Sequence, residues 1–189
     1  MNSDLHHILE PEALAERLGD PALRVVDLSR EDLHRQLHVP GAVHLDYAAL
    51  VGVRPPVAGL LPDRGALARN LGALGIGPGV QVVAYDDEGG GKAGRLGWTL
   101  DALGFHDWQL LNGGLHTWAN EGFPAEQGPP AEPEPAPLAV GTDPGVVADR
   151  DYIQARLGDP GTVLLDTRGA GEYTGAQRFS ARGGHIPGA

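Results

Sequence analysis

Short apolar runs alternate with stretches of helical period through the first 124 residues, with Gly- and Pro-rich turns between them. Leu23 to Asp27, Val80 to Tyr85 and Trp108 to Leu111 read as short buried strands, and Val43 to Leu45 as a further extended piece. Apolar residues three and four apart predict helices over Glu12 to Leu18, Asp63 to Leu74, Gly91 to Leu103 and Leu115 to Glu121, and a helical turn over Arg30 to Leu37. Strands this apolar, alternating with helices, predict an α/β domain with a mainly parallel central sheet flanked by helices. In such open sheets, sites form beyond the carboxyl ends of the strands.

The pattern begins a second time. Arg17-Leu18-Gly19-Asp20-Pro21 recurs unchanged as Arg156-Leu157-Gly158-Asp159-Pro160, an offset of 139. At that offset Val25-Val26-Asp27 falls on Leu164-Leu165-Asp166, and the helical pattern of Glu12 to Leu18 falls on Asp151 to Leu157. His38-Val39-Pro40-Gly41-Ala42 then matches His185-Ile186-Pro187-Gly188-Ala189 at an offset of 147, which places an eight-residue insertion around Gly175 to Arg182. The expected organisation is a complete domain over 1-124, a semi-rigid Pro-rich linker over 125-143 and an incomplete second copy over 144-189. The 46 residues of that second copy offer one helix, one strand and a loop, too little for an independent core, so weaker order is expected there.

Composition narrows the chemistry. Among 189 residues the net charge is −11, a field that repels nucleic acid and anionic lipid, so neither is an expected partner. The amino terminus has no basic start and no apolar leader, and no run approaches the ~18 apolar residues of a membrane span, so a cytoplasmic protein is expected. Cysteine is absent, which removes disulfides, thiolate metal ligands and thiolate nucleophiles together. Ser3, Ser29 and Ser180 are the only serines, and none lies in a Gly-x-Ser-x-Gly elbow.

The loop with most chemical promise follows Gln81 to Tyr85: Asp86-Asp87-Glu88-Gly89-Gly90-Gly91-Lys92-Ala93-Gly94. Its glycines free the backbone to turn N–H groups inward, and the next helix adds a positive dipole end, an arrangement suited to an anion. Three carboxylates at its mouth would repel phosphate or thiosulfate, and the plainer reading is an acidic cap on a buried helix. Gly89-x-Gly91-x-x-Gly94 satisfies a dinucleotide fingerprint, yet carboxylates stand where pyrophosphate belongs and the strand is late in its series. A P-loop fails at Ala93 and Asp86. His34 and His38 have the i, i+4 spacing of a zinc pair but no accompanying Glu, and a surface or capping role is expected. His6, His7 and His116 carry no signal alone, and Asn112-Gly113-Gly114-Leu115 with Trp118 reads as a tight turn into a helix with a buried indole.

Taken together, these segments resemble the rhodanese family, specifically its two-domain bacterial thiosulfate:cyanide sulfurtransferases. The resemblance rests on Val25-Val26-Asp27, His38 to Ala42, Tyr85 to Gly91, Leu111 to Leu115 with Trp118, and Gly183 to Ala189. It implies a nucleophilic cysteine at the head of the loop after the central strand, whose amides hold the transferred sulfur as a persulfide. Asp86 occupies that place, as in the silent first domain of two-domain members, so no catalytic residue is expected among these 189. The offset of 147 moves position 86 to 233, and the cysteine of an uninterrupted chain is expected near 230. The resemblance further implies packing of the first domain on the second, a small sulfur-containing anion or protein persulfide as partner, and no metal or organic cofactor. Glu172 stands where one branch carries a substrate-contacting arginine, which leaves Arg168, Arg178 or Arg182 to supply positive charge. The chain by itself is expected to be inactive. A non-catalytic regulatory or interaction module is the alternative.

Overall fold

The computed structural model of the chain describes residues 7–141 and 145–189, so His6, Thr142, Asp143 and Pro144 lie outside the described residues. The chain forms two compact units, one ending at Val146 and one spanning Val147–Ala189.

In the first unit, five strands form one sheet: β1 (Ile8–Leu9), β2 (Leu23–Asp27), β3 (Val43–His44), β6 (Gln81–Tyr85) and β7 (Trp108–Leu111). Their order is β1-β7-β6-β2-β3, and every pairing in this sheet is parallel. The two longest strands, β2 and β6, lie at its centre in register from Leu23 opposite Gln81 to Asp27 opposite Tyr85. A strand's side chains alternate between faces. Val26, Val82 and Ala84 therefore point into one apolar layer, closed by α3 (Arg64–Ala73) and α4 (Gly91–Ala102). Val25, Val83 and Tyr85 point into the other, closed by α1 (Pro11–Ala15), α2 (Glu31–Gln36) and α5 (Gly114–Asn120).

Most predicted elements fall within a residue or two of their expected places. α3 shows why: Asp63 accepts from the Ala66 amide at one end, and Leu74 closes the other. The helix expected to run to Leu18 ends at Ala15 and continues as turn, because Gly19 takes a left-handed φ of 85° before Pro21. Three features are additional, one of them a 3-10 helix over Tyr47–Leu50. β1 is a two-residue edge strand, and β4 (Gly52–Arg54) with β5 (Val57–Leu60) forms a separate antiparallel hairpin. Arg95 ties the base of this hairpin to α4 through the carbonyls of Leu50 and Leu60.

The Pro-rich stretch is laid against the first unit instead of standing off it. Glu126 exchanges both backbone hydrogen bonds with His38, Ala131 donates to the Ala42 carbonyl, Ala136 to Gly72 and Gly141 to Leu103. Gly72 makes the passage possible, since a Cβ there would lie 2.5 Å from the Ala136 oxygen.

The second unit contains α6 (Arg150–Gln154) and α7 (Ala170–Thr174), and no residue in it is fully buried. The strand expected at Leu164 to Asp166 does not form, and Leu165 is 83% exposed. A strand needs neighbours for its backbone groups, and the unit offers none there. The recurring sequences nevertheless fold alike locally. Asp20 and Asp159 each accept from the amide two residues on, at 2.8 and 2.9 Å, after a left-handed Gly19 or Gly158. His38 donates from Nδ1 to the His34 carbonyl and stacks on that ring at 4.0 Å; His185 does the same with Tyr173, at 3.8 Å. Tyr173 stands at the offset of 139 from His34.

Candidate functional site

β6 delivers Asp86 to the carboxyl edge of the sheet, 1% exposed, where the loop wraps round it. Oδ1 accepts from the amides of Glu88 and Gly90 at 2.9 and 2.8 Å, and Oδ2 from those of Lys92 and Ala93 at 2.8 and 2.9 Å. Gly89 and Gly90 hold φ of 89° and 94°, the left-handed region in which glycine carries no Cβ penalty, and so aim the intervening amides inward. Lys92 and Ala93 are the second and third residues of α4, whose early N–H groups have no partner within the helix. The sequence reading of an acidic cap is therefore right in kind but needs a correction of place. The N-cap residue is Gly90, and the capping carboxylate comes from the end of the preceding strand.

Burial works against the charge on Asp86, but the four amides outweigh it and hold its pKa below the ordinary carboxylate value. Asp87 and Glu88 do not join in. Lys92 reaches them at 3.6 and 3.0 Å; its burial opposes its charge, and the two carboxylates raise its pKa. His116 bonds the Asp87 carbonyl at 3.0 Å. Opposite the loop, Leu115 donates to the Asp86 carbonyl, and Gly114 permits the approach, since a Cβ there would lie 2.5 Å from that oxygen. A cavity of about 150 Å³ opens in front of Asp86, floored by Gly89, Gly90 and Ala93 and walled by Asn112 and Gly113.

Behind the loop lies a buried polar network that the sequence reading missed. Tyr85 donates to Asp27 Oδ2 at 2.8 Å, His34 Nδ1 donates to the same oxygen at 2.7 Å, and Tyr85 accepts from the Val39 amide. His34 and His38 are 0% and 2% exposed, so the expected surface role is wrong, whereas capping holds: His38 covers an α2 carbonyl. The only sequence signal was an apolar surround, with Val39 and Ala42 flanking a pair spaced to share one helix turn. His34 Nε2 is buried without a hydrogen-bond partner among the described residues, and burial lowers the pKa of this ring. Among the described residues no group of three or more His, Cys, Asp or Glu is placed to hold a metal ion.

The second unit brings two of its three candidate cations to one groove. Arg168 is locked onto Asp166 by two bonds of 2.9 and 2.6 Å and also donates to Gly184, and the Asp166 pKa is held down to about 2 by this partner. Its charge is thus already paired. Arg168 and Arg182 line one groove with Asp166, Ser180 and His185, whereas Arg178 does not line it.

A parallel α/β sheet carries, after its central strand, a loop that turns four amides onto one anionic group, and here that anion position is filled from within by Asp86. Residues 10–121 match the model of the rhodanese-like domain. A thiosulfate sulfurtransferase of Pseudomonas aeruginosa is 41% identical over 188 residues, 99% of this chain and 69% of that protein. A probable 3-mercaptopyruvate sulfurtransferase of the same organism is 36% identical over 96% of this chain and 69% of that one. The crystal structure of SseA from Escherichia coli, described among 3-mercaptopyruvate sulfotransferases with the rhodanese fold, superposes with a TM-score of 0.85 at 25% identity, covering 97% of this chain and 73% of that one. The chain belongs to the rhodanese family of sulfurtransferases.

Proposed function

We propose that this chain serves transfer of sulfane sulfur, from thiosulfate or a persulfide, to cyanide or another thiophilic acceptor, and that the nucleophilic cysteine lies outside these 189 residues. One observation carries the reading: the loop that would present a nucleophile holds Asp86, with all four converging amides already bonded to its carboxylate. A carboxylate cannot carry a sulfane sulfur, whereas a thiolate held at a helix N-terminus can. The 189 residues include no cysteine, so no other position among them supplies a thiol. Relatives named as thiosulfate sulfurtransferases, of which the chain spans about two thirds, support the reaction class. The matched turns and ring stacks at 17–42 and 156–189 support reading Val147–Ala189 as the start of a second copy. In that copy Arg182 supplies charge for an anionic donor, because Arg168 is held by Asp166.

The test is a paired measurement on the 189-residue protein and on the longest natural product of its gene. After incubation with thiosulfate, intact mass should show one added sulfur only where a thiol near position 230 is present. A thiol-bearing product that takes up no sulfur and makes no thiocyanate from cyanide overturns the reading.

A further inference from the structure

We propose that Asn112-Gly113 is a self-modifying site, at which the Asn112 side-chain amide is lost as ammonia and the chain re-forms as isoaspartate, and that Glu10 restrains the reaction. The chemistry is independent of sulfur transfer and needs no partner but water.

Such a conversion asks for an exposed asparagine, a following residue with no Cβ to obstruct ring closure, and a following amide that is not engaged in a hydrogen bond. Of the four asparagines only Asn112 precedes glycine. Both Asn112 and Gly113 are exposed, in the turn between β7 and α5. Gly113 is the N-cap residue of α5, and its N–H donates to nothing among the described residues. The other described asparagines sit differently. Asn70 lies within α3, whose ladder engages the Leu71 amide, and Asn120 is followed by the Glu121 amide, which donates to Thr117 at 3.0 Å. An amide that must first give up such a bond reacts about tenfold more slowly.

The steps balance without an oxidant or reductant. The Gly113 amide gives its proton to hydroxide, and its nitrogen attacks Asn112 Cγ. A C–N bond forms as the Cγ–Nδ2 bond breaks, and ammonia leaves with a proton taken from water. Water then opens the cyclic imide at one of its carbonyls. One opening leaves aspartate; the other routes the backbone through the side chain and leaves isoaspartate.

Glu10 opposes this chemistry. Asn112 Nδ2 donates to both Glu10 carboxylate oxygens, at 3.1 and 3.0 Å. The pair fixes a side chain that has to turn for the ring to close, and the carboxylate charge disfavours loss of the nearby amide proton. In the product a carboxylate faces a carboxylate where a donor faced an acceptor. The same turn fastens the edge strand β1, because Asn112 donates to the Leu9 carbonyl at 2.9 Å and Leu110 to that of His7 at 2.7 Å. Ile8 and Asn112 both line the cavity in front of Asp86, so modification loosens β1 and displaces a wall of that cavity.

Peptide mapping of the 189-residue protein after storage at mildly alkaline pH, with isoaspartate revealed by enzymatic carboxyl methylation, tests the proposal. Asn112 should carry at least about tenfold more isoaspartate than Asn70 or Asn120, and Asn112→Gln should remove that signal. Glu10→Ala should speed its appearance about fivefold. The Leu110 amide should exchange with deuterium faster in stored protein than in fresh protein. Isoaspartate no more abundant at Asn112 than at Asn70 and Asn120 overturns the proposal, and an unchanged or slower rate in Glu10→Ala overturns the part given to Glu10.

Discussion

Replacing Asp86 by Ala removes the acceptor of four backbone amides at once, and its cost follows from where those amides sit. Those of Glu88, Gly90 and Lys92 are only partly buried and can turn to water, whereas that of Ala93 is buried. An orphaned buried N–H costs about 1–3 kcal/mol, and a lost helix cap typically about 1 kcal/mol. A destabilisation of about 2–4 kcal/mol is expected, or roughly 6–12 °C in melting temperature for a unit of this size. The loss should also depend on pH. Asp86 titrates below its unfolded value, so its contribution is complete above the usual carboxylate range and fades as pH falls through the lowered folded value. Chemical denaturation of the parent and the variant at pH 7 and at progressively lower pH measures both. Asp86→Asn should be no better than Ala, because its NH₂ group would face two amide donors. A loss below about 0.5 kcal/mol at pH 7, the range of ordinary surface substitutions, would refute the claim that this carboxylate organises the loop.

Two further perturbations probe the surrounding frame. Gly97→Ala places a Cβ 2.4 Å from the Trp108 ring between α4 and β7, and should cost about 1–3 kcal/mol of overpacking by the same denaturation assay; a neutral result would contradict that packing. His34 has its pKa lowered by burial, so the folded state binds fewer protons than the unfolded one and stability should fall as pH drops below about 6.5. His34→Gln should weaken this fall between pH 7 and pH 5, and an identical slope in both proteins would remove His34 as its source.

Much of this was legible in the residues. β2 and β6 were readable because both faces are covered, which demands near-continuous apolar runs, and the loop was readable because only glycine takes its left-handed positions. β1 was not, since two residues are too few to show a period and the strand exists only through pairing with β7. Nor was the β4–β5 hairpin, whose Gly and Pro content hides alternation. The position of Asp86 in the strand-to-helix loop was visible, but not that it reaches six and seven residues onward to cap α4. The burial of His34 depends on Asp27 and Tyr85, seven and 51 positions away, a contact that no local pattern reveals. The failed strand at Leu164 to Asp166 shows the converse, an apolar run without the neighbours that would make it a strand.

The central claim is that the first-unit loop is filled by Asp86 and that sulfur chemistry needs a thiol these residues do not hold. Thiocyanate formation from thiosulfate and cyanide by the purified 189-residue protein tests it most directly. The rate should equal that of the heat-denatured protein, and turnover above that background would show that the nucleophile had been misplaced.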